Sequence, residues 1–218
     1  MPLASAIRDA VNAYCVRHLP SQQWFYEYFD FISEPALRSA LAGEFYAARY
    51  ITKLMEALGS TGAELAAHCK FQVIQYASIY EAIISHVLWS HCTGEAAFIE
   101  MVQGSEFRVV PVLSRSSQLT HNGERVYPCI KREVVTSEVS IRFDYKVDAA
   151  VAIGFVDNRY APEIKEFYTL RNSIHLRTAS KRQIQFQLDH SRRAYRRMEP
   201  FARCVRRYLT APAGAATI

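Results

Sequence analysis

The chain has 218 residues, half of them hydrophobic, which is enough for a sizeable core and excludes wholesale disorder. Its formal net charge of +5 is a modest basic excess, and no run of ~18 apolar residues suggests a membrane span. The start, MPLASAIRDAVNAYC, carries Asp9 and lacks a long apolar stretch, so it does not read as a secretory signal.

In chain order, the apolar positions Ile7, Ala10, Val11, Tyr14 and Cys15 recur at helical spacing, and Pro20 ends that element. A second helical pattern runs from Glu34 to Leu58 and is broken by Gly59, Ser60 and Gly62. Residues 1–60 thus read as N-terminal helices packing on a larger bundle, itself expected over 61–210. A long helix follows from about Glu64 to His91. Its stretch FQVIQYASIYEAIISHVLWS, 71–90, is apolar nearly all round and predicts a buried central helix. Ser78, Glu81 and Ser85 make a narrow polar stripe on it. A carboxylate there either reaches solvent through a gap or faces a basic residue on a neighbouring helix, because an unpaired buried charge is costly.

From 104 to about 143 the pattern turns β-like. Val109, Val110, Val112 and Leu113 form one run, HNGERV carries an Asn-Gly turn signal, and Val139, Ile141 and Phe143 alternate. The segment predicts a small hairpin or meander inserted into a helical protein, with His121 as an exposed turn residue. Helices resume from about Tyr145 to Val156, then from Pro162 to 176, then from Lys181 to Leu209, where Pro200 is expected to kink or divide the last. Residues 211–218 are expected to be a disordered tail. The fold class is mainly α: an antiparallel helical bundle with a small inserted β element.

Cys15, Cys69, Cys92, Cys129 and Cys204 are scattered, odd in number and form no CxxC pair. They predict free thiols in a reducing cytoplasm rather than a disulfide framework or a zinc site. His86, His91 and Cys92, and likewise His68 and Cys69, face different ways on a helix and make no ligand set. No metal and no cofactor is expected.

Two features point to function. The segment HSRRAYRRMEPFARCVRRY, 190–208, concentrates arginine, including Arg192, Arg193, Arg196 and Arg197, with Glu199 alone opposing it. It suits either nucleic-acid contact or a solvated helix face. The other is YTLRNSIHLRTA, 168–179. On a helix over 162–176, Ile164, Phe167, Leu170 and Ile174 make the apolar stripe; Arg171 and His175 fall on or beside it, Asn172 lies next to Tyr168, and Thr169 and Ser173 lie opposite. An arginine and a histidine on a buried edge need partners. A structural ion pair, such as Arg171 with Glu81, would provide one. So would an interface between two copies, or a site where histidine moves protons and arginine stabilises phosphoryl charge.

At these residues the chain resembles the HEPN domains (higher eukaryotes and prokaryotes nucleotide-binding). LRNSIHL after EFYTL is similar to their Arg-Asn…His motif, and FQVIQYASIYEAIISHVLW to their second core helix, with Glu81 in its acidic position. YPCIKR, SIRFDYKVDAAVAIGFV and IQFQLDHSRRAYRRMEPF are similar to bacterial members with a β insertion, so the likeness covers about residues 66–208. The resemblance implies a homodimer and a metal-independent endoribonuclease of the toxin–antitoxin or antiphage kind, with RNA and an antitoxin or other protein as partners. It implies His175 as the proton-transfer residue, Arg171 as the stabiliser of the phosphorane, Asn172 as an orienting group, and Glu81 and Tyr168 as support. One feature departs from the family: three residues separate Arg171 from His175 where four to six are usual. On an ideal helix this sets the side chains ~40° apart, against ~140° for four. The alternative is a non-catalytic helical module that binds a protein or nucleic acid.

Overall fold

A computed structural model describes residues 4–116, 119–173 and 185–211. The fold is mainly α with a small β insertion. α1 (Ser5–Arg17) and α2 (Gln22–Tyr28) precede the long α3 (Pro35–Leu58) and α4 (Gly62–His91). α2 lies in a stretch for which the sequence reading assigned no helix. Its start is set by Ser21, whose hydroxyl accepts from the Trp24 N–H at 3.1 Å. α3 begins at Pro35 and ends on Gly59, whose φ of 59° lets the Ser60 N–H reach back to the Met55 carbonyl.

α4 is the central rod. Tyr76, Tyr80, Ile83, Ile84, Val87 and Leu88 on it are fully buried, and it packs on α3 and on the three helices that close the fold. These are α7 (Phe143–Ile153), α8 (Ala161–Asn172) and α9 (Leu188–Thr210). Phe25 and Phe29 of the α2 region, Phe45 of α3, Phe167 of α8 and Phe201 of α9 join the α4 side chains in a single core. α2 and α3 therefore share the bundle's interior, and α1 packs on α3. Phe25 meets Phe45 edge-on at 5.3 Å, and Tyr80 meets Phe201 edge-on at 4.9 Å.

Between α4 and α7 lie α5 (Ala96–Val102), β1 (Gln103–Val109), α6 (Pro111–Ser116), β2 (Thr120–His121), β3 (Glu124–Arg125) and β4 (Cys129–Val135). β1 pairs antiparallel with β4, and the short β2–β3 hairpin is nested between them. Its turn is the predicted Asn-Gly, with φ of 51° at Asn122 and 83° at Gly123. The run Val109–Leu113 is not one strand, because Pro111 opens α6. Alternation at Val139, Ile141 and Phe143 does not make a strand either. Val139 is 94% exposed while Ile141 and Phe143 are buried, and a 3₁₀ turn at Glu138–Ser140 leads directly into α7.

Pro200 does not divide the last helix: α9 is continuous from Leu188 to Thr210. Ala194 and Met198 before the proline, and Phe201, Ala202 and Val205 after it, are all buried, so both halves are held by the same core. The predicted helix boundaries at 176 and 181 lie outside the described residues. So do 212–218 of the expected tail.

Candidate functional site

The motif residues sit at the end of α8. Ile164, Phe167 and Leu170 bury its apolar stripe, which brings Arg171 to the edge of the contact with α4. There the Arg171 Nη1 lies 2.7 Å from the Glu81 Oε2. Both side chains are about one-third exposed, so the pair stands at the rim of the core rather than inside it. The Arg171 guanidinium also lies 5.3 Å from the centre of the Tyr168 ring, and that ring packs on Phe143 of α7 at 4.3 Å. Asn172, the last residue of α8, is exposed.

Ser173 departs from the helical projection, which put it on the solvent side. It is fully buried and its hydroxyl donates to the Thr169 carbonyl at 2.6 Å. Ser173 is the C-cap of α8, with ψ near 8°. His175 lies outside the described residues.

A groove of about 390 Å³ opens beside the ion pair, lined by Ser78, Glu81 and Ser85 of α4, Glu138 before α7, Lys146 of α7 and Tyr168 of α8. The polar stripe read from α4 is therefore the floor of a groove. Lys146 is the residue that sequence reasoning missed. It is buried, yet its ammonium donates to the Ser85 hydroxyl at 3.1 Å, sits 3.8 Å from the Glu138 carboxylate and 5.0 Å from the centre of the Trp89 ring. The signal was present: Lys146 stands between Phe143 and Ala150 on the inward stripe of α7, the same placement that singled out Arg171. A buried ammonium keeps its charge only where such partners receive it.

The arginine-rich helix resolves into two faces. Arg193 bonds both Glu166 oxygens at 2.8 Å and Asp189 at 2.8 Å, and Arg197 bonds Glu163. Both carboxylates of this set on α8 face α9. The bidentate Arg193 guanidinium holds the Glu166 carboxyl below its ordinary range, and Glu166 in turn raises the Arg193 pKa. Arg206 reaches Asp30 at 3.0 Å and the Tyr28 carbonyl at 3.0 Å. Arg192, Arg196, Arg203 and Arg207 form the exposed face. Of the four arginines proposed for nucleic acid, Arg193 and Arg197 are thus engaged between helices, and Arg192 and Arg196 face solvent.

Chemically, the groove is lined by one ammonium, two carboxylates and two serine hydroxyls, with the Arg171 guanidinium bound to one of those carboxylates, Glu81. Among the described residues no helix is long and apolar enough to cross a membrane. Comparison of the chain with protein-family models, with curated proteins and with solved structures finds no match.

Proposed function

We propose that the chain is a HEPN-like protein acting on RNA as a metal-independent endoribonuclease, of the toxin or antiphage-effector kind, in the cytoplasm. The observation that carries this reading is the Glu81–Arg171 pair at 2.7 Å. It joins the motif arginine to the acidic position of the central helix, whose Glu81 lines a groove that also holds the Lys146 ammonium. In this reading His175 removes the proton from a ribose 2′-hydroxyl. The freed oxygen attacks the adjacent phosphorus, a 2′,3′-cyclic phosphate forms, and the 5′-oxygen leaves and takes a proton from solvent. Arg171 stabilises the charge gathered on the phosphorane, with Glu81 and Tyr168 holding the guanidinium. Asn172 orients the phosphate or the histidine. Arg192 and Arg196 supply non-specific contacts to the RNA backbone. A second copy and an antitoxin are the protein partners that fit this role.

A second reading has its own support. Arg171, Arg193 and Arg197 all bind carboxylates on neighbouring helices, which is what a non-catalytic helical module would use to fix its packing. Purified full-length protein, incubated with RNA, separates the two. Cleavage that is lost in His175→Ala and Arg171→Ala, both still folded, upholds the nuclease. No cleavage by the unaltered chain, with Arg171→Ala chiefly lowering the melting temperature, gives the module reading instead.

A further inference from the structure

Among the described residues, the paired strands β1 and β4 leave a strand edge open. They run antiparallel from Gln103 opposite Val135 to Val109 opposite Cys129. β4 is exposed along its length, with Val134 alone half-buried. Two bonds flanking the ladder tell which backbone groups face outward. Val110 donates to the Pro128 carbonyl at 3.0 Å, and Thr136 donates to the Val102 carbonyl at 2.7 Å. Hydrogen-bonding direction alternates along an antiparallel strand. Ile130, Arg132 and Val134 therefore turn their N–H and C=O toward β1, and Cys129, Lys131, Glu133 and Val135 turn theirs to the open side.

An open edge is a template for another strand. A copy related by a two-fold axis must match outward residue to outward residue and keep each side chain on its own face. The full-length match centres on Arg132. It places Lys131 opposite Glu133 of the second copy, and Glu133 opposite the other Lys131. It also sets Ile130 against Val134 and Cys129 against Val135, covering positions that are now 55% exposed at Ile130 and 80% at Val135. Sliding the match one step either way sets Lys131 against itself or Glu133 against itself. The single like-charged contact in the full match, Arg132 with its copy, is flanked on both sides by Glu106, which stands opposite Arg132 within each arm. Charges in the middle of an edge strand usually repel other edges, but these complement a copy of themselves in one register.

We propose that two copies of this chain associate edge to edge through β4, merging their arms into one four-stranded antiparallel sheet closed by two Lys131–Glu133 pairs. The contact lies on the inserted arm and not on α8, so the β4 variants separate it from any second-copy contact that the nuclease reading needs. The test is sedimentation velocity on the full chain, up to about 100 μM, the range where an interface of this modest size registers. A reversible dimer is expected. Lys131→Glu and Glu133→Lys should each weaken it about tenfold or more, because each turns two attractive cross-strand pairs into repulsive ones. The double variant Lys131→Glu/Glu133→Lys should recover it. Lys131→Pro, which removes an outward N–H from an exposed strand, should abolish it, with circular dichroism reporting an intact helical fold. The proposal is overturned by a chain that stays monomeric over that range. A dimer unmoved by the single reversals, or one not recovered by the double reversal, overturns it equally.

Discussion

Replacing Glu81 and Arg171 singly and together measures what the central ion pair contributes. At 2.7 Å the separation is short, and two unit charges at that distance attract by ~6 kcal/mol at an effective dielectric near 20. Most of that is offset by lost hydration and by the ordering of two long side chains. With about one-third of each side chain still in water, the net coupling should be about 1 kcal/mol. Glu81→Gln, Arg171→Met and the double variant, unfolded by heat and by urea, form the cycle. Each single change should lower the melting temperature by roughly 2–4 °C for a chain of this size, and the double should cost about 1 kcal/mol less than the sum of the two. On the nuclease reading, cleavage measured on the same proteins adds a functional axis: Glu81→Gln should retain part of the activity and Arg171→Met none. A coupling within about 0.3 kcal/mol of zero would refute the claim that this pair ties α4 to α8.

Three further outcomes follow from the same geometry. Lys146→Met keeps the aliphatic stem and removes a charge held 3.1 Å from Ser85; stability should hold or rise by about 1 kcal/mol, while RNA affinity falls if the groove receives phosphate. Arg193→Ala, which severs contacts to Glu166 and Asp189, should cost about 1–2 kcal/mol in thermal unfolding, whereas Arg192→Ala on the exposed face should leave stability within about 0.5 kcal/mol and, on the nuclease reading, flatten the salt dependence of RNA binding instead. Burial, helped by the neighbouring His91 and opposed by Glu34, lowers the His86 pKa from its ordinary 6.5. The unfolded chain therefore binds this proton more readily than the folded one. Stability from this group is complete above 6.5 and drains away as pH falls through that value toward the lower folded one. Melting curves between about pH 7 and pH 5 should slope downward, and His86→Gln should flatten them; an unchanged slope would count against it.

What the sequence made legible depended on the range of the interaction. The central helix was legible from periodicity and the hairpin from its Asn-Gly turn signal, while the Arg171–Glu81 contact was one of the partnerings that a charge on an apolar face made possible. Strand assignments failed where short apolar alternation at Val139, Ile141 and Phe143 was decided by packing: only the last two reach the core. The basic helix was only partly legible for a related reason. Counting charges within 190–208 found one acid, Glu199, but Arg193 and Arg197 are answered by Glu166 and Glu163 some thirty residues away. Local charge density says little when the opposing charge arrives from another helix. Lys146, by contrast, was readable in principle, because its inward position on α7 is a local property.

These long-range pairs change how loss of function in this protein should be interpreted. α8, the helix that carries Arg171 and Asn172, is held on one side by Glu81 of α4 and on the other by Arg193 and Arg197 of α9. Its buried apolar stripe, with Phe167 stacked on Tyr80 at 6.0 Å, seats the helix, and the ion pairs brace its two edges. On the nuclease reading, an arginine variant on α9 can therefore lower activity without touching RNA, by loosening the seat of α8 and of Arg171 with it. A reduced rate in Arg193→Ala is thus ambiguous by itself. The exchange Arg193→Glu/Glu166→Arg removes the ambiguity, since it restores the bridge with the charges interchanged. Recovery of cleavage in that double variant would assign Arg193 to positioning α8, and failure to recover, with the fold intact, would assign it to the RNA.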